Sequence, residues 1–110
     1  MKITIFMRTL GNSPQARIIY YLIRSRGLPI HQSDVIRNSH VSKKTIIPIW
    51  KQMIKEGILE YNRTIGRAKL YILNVEDFRI KKLIELYNTC LEKEADIGLK
   101  EVKNLEPIPA

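Results

Sequence analysis

Four lysines, Lys43, Lys44, Lys51 and Lys55, recur along one short stretch, and a second basic set, Arg63, Arg67 and Lys69, surrounds Gly66 shortly after it. The chemistry these side chains can do is anion recognition. At 100° per residue, Lys44, Lys51 and Lys55 share one side of a helix with Pro48, and Ile47 and Gln52 lie at its edges. Ammonium groups suit phosphate oxygens or guanine O6 and N7, a glutamine amide suits adenine, and Ile47 and Pro48 suit a thymine methyl. Ser42 is placed to cap the helix, and Lys43, Lys44 and Thr45 make its first turn, where free N–H groups favour a phosphate. Arginine suits a narrow minor groove, where the negative potential is enhanced. The candidate DNA-contact set is therefore Ser42, Lys43, Lys44, Thr45, Ile47, Pro48, Lys51, Gln52, Lys55, Arg63, Arg67 and Lys69.

Other chemistries find little support. The chain carries no nucleophile–base pair, no glycine-rich phosphate loop and no framed pair of carboxylates, so no catalytic residue is assigned and an enzyme is not expected. His31 and His40 have no metal-ligand spacing with Cys90, so no metal and no cofactor are expected. Cys90 is the only cysteine, which precludes an intrachain disulfide and fits a reducing compartment.

Charge is unevenly spread. Residues 1–75 hold thirteen Lys/Arg against three Asp/Glu, whereas residues 76–110 hold six against eight. A basic front and a mildly acidic back point to a polyanion partner for the front only. The longest apolar run, Ile18 to Ile23, is far too short to span a membrane, and the N-terminus lacks a signal-peptide pattern. The expectation is a cytoplasmic, nucleoid-associated protein with no membrane partner and no evident small-molecule ligand.

The elements that must position the basic groups can be read from caps and apolar spacing. Residues 1–12 alternate loosely at Ile3, Ile5 and Met7, which predicts a short strand or an ordered arm. Ser13-Pro14 starts a helix, with Asn12 as the rival cap, and Gly27 ends it. Leu28-Pro29-Ile30 reads as an edge strand pairing with a later hairpin. A helix over 32–38 buries Val35 and Ile36, and Ser39-His40-Val41 forms a turn. The helix over 43–56 buries Ile46, Ile49, Trp50 and Met53 and stops at Gly57. Pro48 inside it removes an N–H, which predicts a kink or an opened first turn. Strands over 58–64 and 68–73 join across Ile65-Gly66-Arg67. Asn74 is the expected cap of a last helix, with Glu76 and Asp77 in its first turn. Ile80, Leu83, Ile84, Tyr87, Cys90 and Leu91 form its apolar stripe. Gly98 weakens that helix, and the tail beyond it is expected to be loosely ordered.

The order Val35-Ile36, His40, Val41, Ser42, then Gly57-Ile58-Leu59 resembles the pattern of winged helix-turn-helix DNA-binding proteins of the broad MarR/ArsR/PadR group, of archaeal type. The likeness covers about Ser13 to Asn74, and the spacing from Ser42 to Gly57 fits without insertion. His40 stands where such proteins often carry Gly. The resemblance implies a mainly α fold with a small β-hairpin wing, and a wing that lies along the backbone or enters the minor groove. It also implies a C-terminal helix that pairs with its twin, with Ile80, Leu83, Ile84, Tyr87, Cys90 and Leu91 as the dimer interface. The domain layout read from the chain is an arm at 1–12, a winged helix-turn-helix domain at 13–74, a dimerisation helix at 75–98 and a tail at 99–110.

The expected function is sequence-specific binding of double-stranded DNA by a homodimeric transcriptional regulator, with helix 43–56 in the major groove. Two alternatives stand beside it. One is a plasmid-partition or architectural protein that spreads along DNA; the other is a winged helix used only for protein–protein contact.

Overall fold

The computed structural model describes residues 4–105, and side chains from 4 to 97. The elements are α1 (Ile5–Leu10), α2 (Pro14–Arg24), α3 (Gln32–Ser39), α4 (Lys43–Lys55), β1 (Leu59–Ile65), β2 (Ala68–Leu73) and α5 (Phe78–Leu105). Pro107 and Pro109, at the end of the expected tail, lie outside the described residues.

The N-terminal segment is helical, not a strand. Phe6 and Met7 are both buried. Adjacent residues of a strand point to opposite faces, so only a helix can sink both into one core. Thr4 caps α1 by accepting from the Met7 amide, and Gly11, at φ 90, turns the chain away. A carboxylate oxygen of Glu94 on α5 accepts from the Ile5 amide at 2.8 Å. The Phe6 ring stands edge-on to Tyr87 at 5.6 Å and stacks on Tyr20 at 5.9 Å. This aromatic cluster joins α1, α2 and α5.

Ser13 caps α2, accepting from the Ala16 amide, with Pro14 in the first turn. The helix ends at Arg24, and Gly27, at φ 88, carries the chain out of it. Ile30 then exchanges two backbone hydrogen bonds with Tyr71, at 2.7 and 2.9 Å. That bridge fastens the start of the helix-turn-helix to β2; the expected pairing with the hairpin is present, but as a single bridge at Ile30 and not as a strand over 28–30.

His40 adopts the left-handed conformation, φ 53 and ψ 42, between α3 and α4. Val35, Val41, Ile46, Trp50 and Met53 pack beneath the turn with Ile18, Leu22 and Ile23 of α2. The helix-turn-helix thus sits on α2 as one apolar body.

β1 and β2 pair antiparallel, with Leu59 opposite Leu73 at the buried end and Ile65 opposite Ala68 at the tip. Two constraints fix this ladder. The core holds Leu59 and Leu73, both buried. The two-residue loop Gly66-Arg67, with Gly66 at φ 59, holds the other end. β1 then has one residue more than β2, and the excess appears as a bulge between Tyr61 and Arg63.

α5 starts differently from expectation. Asn74 does not cap it; its Oδ1 accepts from the Glu76 amide and its Nδ2 donates to the Gly57 carbonyl, which closes the link from hairpin to helix. Asp77 does the capping, with Oδ1 accepting from the Arg79 and Ile80 amides. Glu76 and Asp77 therefore precede the helix instead of lying in its first turn. The backbone continues helical through Gly98 to Leu105, so residues 99–105 belong to α5. A helix can absorb one glycine at a cost of about 1 kcal/mol when its neighbours are good helix formers. With 28 residues, α5 runs roughly 42 Å.

Candidate nucleic-acid interface

α4 is built from local signals. The Ser42 hydroxyl oxygen accepts from the Thr45 amide at 3.2 Å and donates to the Thr45 hydroxyl at 2.9 Å. The Ser42 carbonyl accepts from the Thr45 and Ile46 amides. The first turn is thus closed, and Pro48 has not opened it. Pro48 lies in the second turn, with its ring on the exposed side; α4 runs unbroken from Lys43 to Lys55 across it. The Ser42 and Thr45 hydroxyls bind each other and shape the helix end.

Ile46, Trp50 and Met53 are buried, and Ile49 is half-buried, so the inner face is as the spacing predicted. Lys43, Lys44, Pro48, Lys51, Gln52 and Lys55 are exposed. The outer face divides along its length. Ile47 and Lys51 border a groove of about 410 Å³ on the wing side. Pro48 and Gln52 border a second hollow of about 210 Å³ with Gln15 of α2. Gln52 is partly committed, because its amide nitrogen donates to Glu56 at 2.9 Å.

Arg63, Arg67 and Lys69 are all exposed. The register distributes them over the ribbon. Lys69 pairs with Thr64, on the side that also carries Tyr71. The Tyr61 and Thr64 hydroxyls are 2.5 Å apart, three positions along one strand, which the bulge permits. Arg63 pairs with Leu70, on the opposite side of the ribbon. Arg67 is in the loop. Lys69 is thus the wing cation that shares a groove with Lys51 of α4, and Arg63 faces away from it.

The basic residues of positions 13–74 fall into two groups. Arg17 is spent on the backbone around the helix-turn-helix. Arg24 lies over the Tyr20 ring at 5.3 Å and Arg26 over the Tyr87 ring at 5.9 Å. Arg37 pairs with Asp34. By contrast, Lys43, Lys44, Lys51, Lys55, Arg63, Arg67 and Lys69 make no ion pair among the described residues. Of the acids that pair, Asp34 lies in α3 and Glu56 caps the end of α4 beside Lys55. Glu56 and Asp77 both hold Arg79, at 2.7 and 3.2 Å. Hydrogen bonds from Gln52 and then Arg79 hold the Glu56 carboxyl below its usual range, and the Arg79 hydrogen bond does the same for Asp77.

Three residues of the groove were not singled out from sequence, Tyr71 of β2 and two at the start of α3. His31 and Gln32, at the start of α3, line it with Lys51, Lys69, Trp50 and Tyr71. The available signal was His31 three residues before Asp34, a capping pattern that fixes where α3 begins. The His31 amide donates to Asp34 at 3.1 Å, and the His31 ring accepts from the Ser33 amide.

The apolar stripe of α5 is largely used within the chain. Ile80 is 1% exposed and Cys90 6%, so neither can face a second molecule; both are core. Tyr87 packs on Phe6 and Tyr20. Leu83 and Ile84 are half-buried, and Leu91 is 45% exposed. Among the described residues no helix is long and apolar enough to cross a membrane, and no cluster of three or more His, Cys, Asp or Glu is placed to hold a metal.

No family model matches the chain, and no curated protein matches it. Among solved structures, it is similar to a predicted DNA-binding transcriptional regulator from E. coli, at 17% identity and TM-score 0.53, over 76% of this chain and 82% of that one. It is also similar to Sso10a-2, a DNA-binding protein from Sulfolobus solfataricus, at 16% identity and TM-score 0.49, over 86% and 95%. Likeness at this identity is a likeness of fold. With its capped helix pair, bulged hairpin and long last helix, the chain has the winged helix-turn-helix fold.

Proposed function

We propose that this chain binds double-stranded DNA as a homodimeric transcriptional regulator, with α4 in the major groove and the hairpin on the adjacent backbone or minor groove. One observation carries the reading. The seven cations of α4 and the wing are exposed and unpaired among the described residues, whereas Arg17, Arg24, Arg26 and Arg37 have intramolecular partners. Unpaired cations on a protruding helix and ribbon are what phosphate neutralisation requires. The E. coli neighbour is named as a predicted DNA-binding transcriptional regulator, which agrees with this assignment.

Residues 13–74 would form the DNA-binding module and α5 the pairing element. The outward side of α5 supports pairing. Ile84 and Leu91 are seven residues apart, with exposed Asn88 and Ala95 at the alternate spacing. This is a heptad seam, and the sequence continues the period at Gly98, Val102 and Leu105. A two-fold dimer would set two copies of α4 about 34 Å apart, one turn of DNA.

Selection of bound fragments from genomic DNA, followed by footprinting, tests the reading. The expected result is a bounded site with two half-sites one turn apart. A footprint that lengthens continuously with protein concentration would favour a spreading architectural protein, and no protection of any fragment would contradict DNA binding.

A further inference from the structure

We propose that the groove between α3, α4 and the wing seats one backbone phosphodiester of the bound duplex, and that His31 supplies it with an uncharged donor, Nε2–H. The inference rests on the reading of the chain as a duplex-DNA binder and adds a contact which that reading does not contain.

The groove has mixed walls. Lys51 of α4 and Lys69 of the wing both line it, Gln32 gives it an amide, and Ile47, Trp50 and Tyr71 form its apolar part. Trp50 stands edge-on to Tyr71 at 6.0 Å, which fixes that part. Two like charges on the walls of one groove favour an anion within it.

The state of His31 follows from its cap. The Ser33 amide donates to His31 Nδ1 at 3.1 Å, and the Ser33 hydroxyl lies 2.7 Å from the same atom. An imidazole nitrogen that accepts from a backbone N–H carries no proton of its own, so the ring proton is on Nε2. Nε2 is on the far side of the ring from the cap and makes no hydrogen bond among the described residues. The Ser33 amide on Nδ1 thus matches the tautomer with its proton on Nε2, and His31 is one of the residues that line the groove.

Most of the backbone at this helix end is already engaged. The Ser33 amide is bound by His31, the Asp34 amide donates to the His31 carbonyl at 2.9 Å, and the His31 amide donates to Asp34. Apart from the Gln32 amide, which has no partner among the described residues, donors for a phosphate come from side chains. Asp34, the acid of this turn, is held by Arg37 and by the His31 amide. The result is a seat made of two cations and a neutral N–H.

The two kinds of donor have different signatures. Binding of a duplex selected by the wild-type protein is measured by fluorescence anisotropy across a range of salt, for wild type, His31→Ser and Lys69→Ala. Serine is a preferred cap, so His31→Ser keeps the start of α3 while removing the groove donor. The expected result is an affinity loss of about 25–100-fold at every salt concentration, the worth of one hydrogen bond in each protomer of the dimer, with the slope of log K on log salt unchanged and Tm unchanged. Lys69→Ala, which removes one phosphate contact from each protomer, should instead flatten that slope by ~1.8. In the protein labelled with 15N-histidine, the His31 Nε2 resonance should have the protonated form and move when duplex is added.

Wild-type affinity in His31→Ser overturns the proposal, as does a loss that comes with a changed slope or a lower Tm. An Nδ1-protonated ring overturns it as well. Displacement of duplex by millimolar inorganic phosphate at constant ionic strength would mean a small-anion site in place of a backbone seat. A wild-type protein that binds no duplex ends the DNA reading itself, an outcome distinct from failure of the His31 variant alone.

Discussion

Arg17 donates from Nε to the Ser39 carbonyl at 3.0 Å, across twenty-two positions of sequence. The same guanidinium donates to the Asn12 carbonyl at 3.0 Å and to the His40 carbonyl at 3.4 Å. One side chain on α2 thereby holds the carbonyls at the end of α3 and in the left-handed turn before α4. This arginine acts on the angle of α4, not on a phosphate. Its planar fork of donors suits the task, which a lysine could not perform in the same way.

Replacing Arg17 with Met should therefore lower stability by ~1.5–3 kcal/mol, the range for hydrogen bonds to a charged group. On a domain of this size, each kcal/mol moves Tm by about 4–8 °C. Differential scanning calorimetry reads the effect. An unchanged Tm would mean that the turn holds without the clamp.

Arg79 provides the acid limb of stability. After the Gln52 hydrogen bond at Glu56, and foremost at Asp77, the Arg79 hydrogen bonds hold these carboxyls below their ordinary values of 4.5 and 3.8, so both groups bind protons more readily in the unfolded chain. The stability they add is fully present above those ordinary values and is lost as pH falls through the lower folded ones. Urea midpoints measured from pH 6 to pH 2, a span chosen to bracket that window roughly, should fall for wild type and fall less for Arg79→Met. Because the groups are exposed, added salt should reduce the difference. Parallel curves for the two proteins would contradict the linkage.

Ser39 is a buried residue, at 1% exposure, with a hydroxyl that has no hydrogen-bond partner among the described residues. Its carbonyl matters, through Arg17; its side chain does not. Ser39→Ala should raise stability by ~0.5–1 kcal/mol by removing a desolvated hydroxyl and improving helix propensity. A fall in Tm would show that the hydroxyl bonds in solution.

Pairing through α5 is best probed at Leu91, which is exposed, rather than at Tyr87, which holds Phe6. Leu91→Glu should give monomers by sedimentation equilibrium and keep the helical content of each protomer. A mass unchanged from wild type would place the interface elsewhere, or show that the chain works alone.

How far these features could be read in advance depended on how local their causes are. The Ser42 cap, the His40 turn, the Gly57 stop and the two-residue loop at Gly66 are set by neighbouring residues, and each could be found from type and spacing. α1 could not, because its amide end is completed by Glu94, 89 positions away, and its buried pair is held by Tyr20 and Tyr87. Asn74 and Asp77 are both good caps, and only the Gly57 carbonyl, brought close by the hairpin, decides between them. Charge counting could not separate Arg17 from Lys44, since the partner carbonyls of Arg17 arrive only with the folded turn. The bulge could have been inferred by counting strand residues against the loop, and it is what turns Arg63 away from Lys69.

The central claim is that the free lysines of α4 and the basic wing meet one duplex together. The most direct test is duplex affinity measured against salt. For a dimer that neutralises on the order of 6–10 phosphates, affinity should fall by ~10³–10⁵ between about 50 and 200 mM salt, and Lys44→Ala with Lys51→Ala should flatten the slope while Tm stays put. An affinity that does not respond to salt, or a double variant that keeps the wild-type slope, would contradict it.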